Sequence, residues 1–258
     1  MRWTALLLAG QRPGTDPLAA HFGETWKALV PVGGEAMLSR VARTLLDSPS
    51  IDRVLVLAQR PEELTARPDT VWLTQEPRIA FGASAASISR SVSAVAGTAA
   101  PWPVLVTTAD HALLTPAMVE EFVRGAQGAD VSLAVVERRN LLGRYPDNKR
   151  TWLKFRGGAY SGANLFALTG ERARAALDLW AGVEQDRKKG WKLVAAFGPW
   201  LLLRALTRTI SLKGGLAAAG RRLGLTAKPV VLSQPEAAID VDKPADHALA
   251  EAILSARG

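Results

Sequence analysis

The chain has no cysteine in 258 residues and only three histidines. Disulfide frameworks, thiolate metal ligation and cysteine nucleophiles are thereby excluded, and any metal must sit on oxygen or on those few imidazoles. Magnesium or a similar hard cation is the expectation. Long hydrophobic runs are also missing. The first apolar stretch is too short to span a bilayer and lacks a signal-peptide cleavage pattern, which predicts a cytoplasmic protein. No HxxxH, CxxC, nucleophile-elbow serine, Walker A sequence or internal repeat is present.

What the chain does have is hydrophobic content, at 48%, and an uneven distribution of charge. The first supports a substantial core and one large domain over 1–258. The net charge of +8 conceals an asymmetry: residues 138–228 hold 19 Lys/Arg against 5 Asp/Glu, or +14, and the rest holds 13 against 19, or −6. Local basicity of this size suggests an acidic partner, and a nucleotide, a phosphorylated substrate or an anionic membrane all qualify. Nucleic acid is not expected. For any single lysine there, a solvated face explains the charge as well.

The stretch around which the chain is organised is Thr4-Ala5-Leu6-Leu7-Leu8-Ala9-Gly10-Gln11-Arg12. After a Gly/Pro-rich loop it is followed by Lys27-Ala28-Leu29-Val30-Pro31-Val32-Gly33-Gly34. An apolar run stopping at Gly10 reads as a buried strand, and the loop then lies over its carboxyl end, the edge where open α/β sheets bind ligands. Gly10 allows close backbone approach, and Arg12 and Lys27 bring positive charge to the same place, which suits a triphosphate.

Further along, Ala36–Leu46 has helical spacing, Ile51–Ala58 is a strand, and Val71–Leu73 reads as the next strand. A helix is predicted to begin near Gly82-Ala83-Ser84, with small residues and free N–H groups at its start as an anion or base contact, or with Ser84 simply as a cap. Pro103–Thr108 is the next apolar run, read as a strand that leads into Ala109-Asp110, on the same edge as Gly10, so Asp110 is a candidate cation ligand; His111 should point elsewhere. Val131–Val136 is a strand and 137–150 a polar connection. Residues 152–156 and 164–168 read as strands joined by a Gly-rich turn.

From 171 to 224 the pattern is helical, broken at Gly190, Gly198-Pro199 and Gly214-Gly215. Trp200–Arg208 reads as a packing helix, with a membrane-surface or lid helix as the alternative. Pro229–Leu232 is a strand, and a final helix begins at Pro244. Asp240 and Asp242 stand two apart, face the same way in an extended segment, and are costly together without a cation, so one of them is expected opposite Asp110 at the metal.

The strand ending in Leu8-Ala9-Gly10-x-Arg12, the Lys27-x-Leu29-x-Pro31-Val32-Gly33-Gly34 segment, the strand-end Asp110 and the close Asp240-Val241-Asp242-Lys243-Pro244-Ala245-Asp246 resemble the MobA-like nucleotidyltransferases over nearly the whole chain. The family commonly has a second glycine where Gln11 stands, and a shorter loop before the lysine. The resemblance implies a three-layer Rossmann-like α/β fold of the GT-A type with a mixed, mainly parallel sheet, to which this chain adds a basic helical insertion at about 171–228. It further implies nucleotide contacts at Leu8, Ala9, Gly10, Gly82 and Ser84, phosphate chemistry at Lys27 and Arg12, and a metal at Asp110. Ser161-Gly162-Ala163-Asn164 resembles the family's acceptor element, which makes Gly162 and Asn164 substrate candidates, although asparagine is also an ordinary turn residue.

The expected reaction is Mg2+-dependent transfer of a nucleotidyl group from a nucleoside triphosphate to a phosphorylated small molecule, releasing pyrophosphate. A phosphate nucleophile is already ionised at neutral pH, which agrees with the lack of a placed general-base pair. The rivals are a GT-A-type glycosyltransferase and a non-catalytic basic or membrane-associated protein on the same frame.

Overall fold

The computed structural model describes residues 2–11, 13–185 and 198–257. Among the described residues ten strands form: β1 (Trp3–Leu8), β2 (Pro31–Val32), β3 (Glu35–Ala36), β4 (Ile51–Ala58), β5 (Ile79–Ala83), β6 (Val104–Thr108), β7 (Val131–Glu137), β8 (Leu153–Phe155), β9 (Gly158–Leu168) and β10 (Ala227–Val231). Seven make a sheet in the order β10-β7-β9-β6-β1-β4-β5, and β8 adds to β9. β6, β1, β4 and β5 run parallel, as do β7 and β10, whereas β9 is antiparallel to β6, β7 and β8. The result is a mixed, mainly parallel Rossmann-like α/β sheet. The chain builds outward from β1 to β4 and β5, then returns to place β6 on the other side of β1. That reversal opens a crevice at the carboxyl ends of β1 and β6.

The apolar runs divide between two cores because strand side chains alternate. Ala5, Leu7, Val54, Val56 and Leu105 point into one, with helices Met37–Leu46, Pro116–Ala126 and Pro244–Ser255 packed over them. Leu6, Leu55, Leu57, Val104 and Val106 point into the other, against Val92 and Leu177 of helices Ile88–Val95 and Arg174–Gln185. Each fully buried leucine contributes about 2 kcal/mol of hydrophobic stabilisation, so both faces hold β1 and β6 in place beneath the crevice. Gly33 and Gly34 both have positive φ, 61° and 83°, and make the tight turn between β2 and β3 that ends the lysine-bearing segment.

Several expectations are corrected. Val71–Leu73 is not a strand. Val71–Thr74 is a 3-10 turn that satisfies its own backbone, with Leu73 N–H donating to Thr70 O at 3.0 Å, while Trp72 packs under Arg43 and donates to Ser39 Oγ at 3.0 Å. The strand there is β5. The following helix begins at Ile88, capped by Ser87, so Gly82 and Ser84 belong to a strand end and not to a helix start. The polar connection after β7 contains helix Arg138–Arg144. Gly214 and Gly215 lie inside helix Leu212–Arg222, and Gly215 faces the Phe155 ring of β8. Gly198, at φ 75°, does break the chain, before helix Pro199–Leu206. That helix buries none of its residues, contrary to a packing role, and leaves Leu206 81% exposed. Gly190 lies outside the described residues.

Candidate active site

The end of β1 is crowded, and that crowding explains Gly10. A Cβ there would stand 2.9 Å from Ser84 Oγ and 3.2 Å from Gln59 Nε2, so the ends of β4 and β5 close in on it. Leu8 and Ala9 are tied to the neighbouring strands, with Ala9 N–H donating to Leu57 O and Ala109 N–H to Leu8 O, both at 2.9 Å. Ser84 Oγ lies 3.3 Å from Ser91 Oγ. Gly82 has a packing reason of its own, because an added Cβ would meet Leu57 Cδ2 at 2.9 Å.

Gln11 is the fastener of the loop that follows. Its backbone exchanges hydrogen bonds with the Gln59 side-chain amide, at 3.0 and 2.8 Å. Its own side chain donates to Thr25 O at 3.1 Å and accepts from Lys27 N–H at 2.8 Å. The residue that replaces the family's usual glycine therefore closes the longer loop and positions Lys27. Four bonds worth about 1 kcal/mol each do this. Arg12 lies outside the described residues.

Lys27 reaches the centre of the crevice. Its ammonium donates to Asp110 Oδ2 at 2.6 Å and also to Asp242 Oδ1. Burial works to lower the lysine pKa, but the two carboxylates outweigh it and the value is raised, so the ammonium stays charged. Thr108 Oγ1 donates to the other Asp110 oxygen at 2.5 Å, and Val241 N–H to the Asp110 carbonyl at 3.0 Å, which brings the closing acidic segment against β6. One ammonium shared by two carboxylates leaves a net negative charge.

Asp240 has different company. Arg150 holds its carboxylate and also donates to its carbonyl at 3.1 Å, and Asn164 Nδ2 donates to Oδ2 at 3.3 Å. The two carboxylates expected side by side thus serve separate cations, and Asp240 does not share the point where Asp110 and Asp242 meet. Burial lowers the Arg150 pKa, and its Nε has no hydrogen-bond partner. Asn164 has φ 45° within β9, an uncommon conformation that aims it at the crevice, while Gly162 is exposed with open space where a Cβ would be. His111 points away as expected: it is fully buried, its pKa pushed down by burial to about 4, with Nδ1 3.5 Å from Thr107 Oγ1.

Sequence reasoning brought Gly10, Lys27, Asp110 and one of Asp240 and Asp242 to one place; the structure puts Asp242 there and Asp240 on Arg150, and Gln59 and Arg150 were missed. Both lie in polar connections where side-chain type alone carries no signal.

The residues present fit a hard dication. Asp110 Oδ2 and Asp242 Oδ1 converge on one point, where the Lys27 ammonium now sits. Two carboxylate oxygens are the usual protein contribution to magnesium in phosphate sites, the remainder coming from phosphate and water. Among the described residues no group of three or more His, Asp or Glu side chains gathers as a self-sufficient metal centre.

A glycine-ended strand, a lysine and paired carboxylates at the switch point of a Rossmann-like sheet define a nucleotide-handling α/β enzyme. Likeness to known proteins narrows the class. A family model for the MobA-like NTP transferase domain matches residues 5–196. The chain belongs to that family, and is a nucleotidyltransferase. Among solved structures it is similar to a hypothetical transferase from Thermus thermophilus, 28% identical, with a TM-score of 0.78 over 96% of this chain and 100% of that one. CMP:2-keto-3-deoxy-manno-octonic acid synthetase complexed with CTP is 13% identical, with a TM-score of 0.60 over 99% and 100%. The 2-C-methyl-D-erythritol 4-phosphate cytidylyltransferase from Thermus thermophilus is 17% identical, at 0.54 over 99% and 100%. At these last two identities the likeness is one of fold. No curated protein matches the chain.

Proposed function

We propose that the protein transfers a nucleotidyl group from a nucleoside triphosphate to a phosphorylated small molecule, with magnesium, within one domain that carries the helices of 171–228 as an insertion. The observation that carries this reading is the Lys27 ammonium lodged between Asp110 and Asp242 beside Gly10. Magnesium bound by those two carboxylates would supply Lewis-acid neutralisation of the triphosphate and of the departing pyrophosphate. Lys27, displaced from the carboxylates by the incoming charge, would turn its ammonium to the phosphates. Gly10, with Ser84 and Gln59 against it, would admit the nucleotide to the strand end. Gly162 and Asn164 would receive the acceptor, with Arg150 offering its buried guanidinium as Asp240's partner and the acceptor's neighbour.

In the transfer, an acceptor phosphate oxygen attacks the α-phosphorus, a new P–O bond forms, the bond to the bridging oxygen of the β-phosphate breaks, and pyrophosphate leaves with the electron pair. No proton need be removed from a phosphate dianion, so positioning and charge are the whole task of the side chains. The two solved relatives named for cytidylyl chemistry support this reading through the shared fold, and one of them is named for a phosphorylated acceptor.

The test is pyrophosphate release from each of four triphosphates with magnesium against sugar, inositol and alditol phosphates. One productive pair supports the reading. Turnover of a finished nucleotide sugar in place of a triphosphate would establish the glycosyltransferase alternative.

A further inference from the structure

Four of the seven large hydrophobic side chains that the described residues expose, namely Leu153, Trp200, Leu203 and Leu206, meet at one place. They line a cleft of about 830 Å³ between β8 and helix Pro199–Leu206, together with Lys154 and Phe155. Trp200 is 68% exposed and Leu206 81%. A soluble surface rarely gathers this much aliphatic and indole area without a partner.

The two segments that form the cleft carry charge of one sign. Neither the segment that carries β8, residues 148–170, nor the one that carries the helix, residues 198–235, contains a single Asp or Glu. Lys154, Arg156, Arg204, Arg208 and Lys213 lie in these segments, and among the described residues none of them forms an ion pair. Apolar groups line the cleft with Lys154 among them, and the remaining cations belong to the two segments that form it; an element lying in a lipid interface has this composition, with indole and leucine in the acyl boundary and Lys/Arg at anionic headgroups. A single-stranded nucleic acid would instead be met by several stacking aromatics within the charged track. No helix among the described residues is long and apolar enough to cross a membrane, so the contact is with the surface.

We propose that the cleft between β8 and helix Pro199–Leu206 is a docking face for an anionic lipid bilayer. This goes beyond nucleotidyl transfer and does not depend on it.

The test is co-sedimentation of the whole chain with vesicles of phosphatidylcholine alone and of equimolar phosphatidylcholine and phosphatidylglycerol, at low and high salt. Binding is expected on the anionic vesicles at low salt and should fall about tenfold or more when salt screens the border charges. A Lys154→Gln/Arg204→Gln variant is expected to lose about tenfold in partitioning, and a Leu203→Ser/Leu206→Ser variant to lose about as much. Both should keep the wild-type melting temperature, since these side chains are not in the core. Indifference to anionic vesicles at low salt would overturn the proposal. So would full vesicle binding by the Leu203→Ser/Leu206→Ser variant, because a charge patch alone would then suffice. A third contrary result is loss of single-stranded oligonucleotide binding in both variants with vesicle binding unchanged. Pyrophosphate release without vesicles, on a water-soluble acceptor, reports catalysis separately.

Discussion

The crevice and the cleft are both charged, yet they treat charge in opposite ways. In the crevice Lys27 is paired with Asp110 and Asp242, and Arg150 with Asp240, at side-chain exposures of 13–50%. At the cleft the cations stand without ion-pair partners among the described residues, beside exposed leucines. Taking a charge out of water costs several kcal/mol unless a partner repays it, so the crevice must carry its own counter-ions until a ligand replaces them. Surface cations need no such compensation. Internal pairing thus leaves the crevice electrostatically compensated, whereas the cations of the cleft's segments stand unpaired among the described residues, beside exposed apolar area.

The hardest blow to this contrast is Asp110→Asn. Removing a carboxylate from the convergence point should reduce kcat for pyrophosphate release on the order of a thousandfold, with the fold intact by circular dichroism. Rates near wild type at saturating magnesium would remove Asp110 from the metal site. Next comes Lys27→Met, which takes the resident cation from between two carboxylates. We expect kcat/KM for the triphosphate to fall about a hundredfold while nucleoside monophosphate binding holds. Magnesium should also raise the melting temperature of this variant more than that of the wild type, since the carboxylates then lack their ammonium. Equal magnesium shifts would mean that Lys27 and the metal do not share a place.

A milder change is Gln11→Gly, which removes two of the four bonds of the loop fastener, at about 1 kcal/mol each. The expected result is a rise in triphosphate KM of roughly fivefold to tenfold with kcat less affected, read in the same pyrophosphate assay. An unchanged KM would show that the loop is held without it. Smallest is Glu184→Gln, at the start of helix Ile88–Val95. Burial works to raise the Glu184 pKa, but hydrogen bonds from Ser89 and the start of helix Ile88–Val95 win, and the value is lowered. Its contribution is therefore present above the ordinary carboxylate range and fades as pH falls through the folded value. The variant should melt about 2 °C lower at neutral pH, and the gap should close in acid as the carboxylate is protonated. A gap that persists in acid would point to packing rather than charge.

The frame of the molecule can be read from its residues alone. β1, β4 and β6 are apolar on both faces because both faces are covered, and such runs are visible without any partner. Gly10, Lys27 and Asp110 were legible for the same reason: each follows or ends such a strand, and the carboxyl edge of a parallel sheet is where ligands go. Val71–Leu73 misled because three apolar residues fit a strand as well as a turn, and only the hydrogen bonds of Arg67 to Gln75 decide. Helix Pro199–Leu206 misled because its apolar residues recur on every side, so no period says which face is covered. Pairing across long separations, by contrast, is settled only once the chain is folded. Lys27 meets Asp242 over 215 positions, and Arg150 claims Asp240 over 90. Charge compensation depends on distance through space, and two aspartates flanking a single valine were divided between two cations by the strands and loops that brought each cation near.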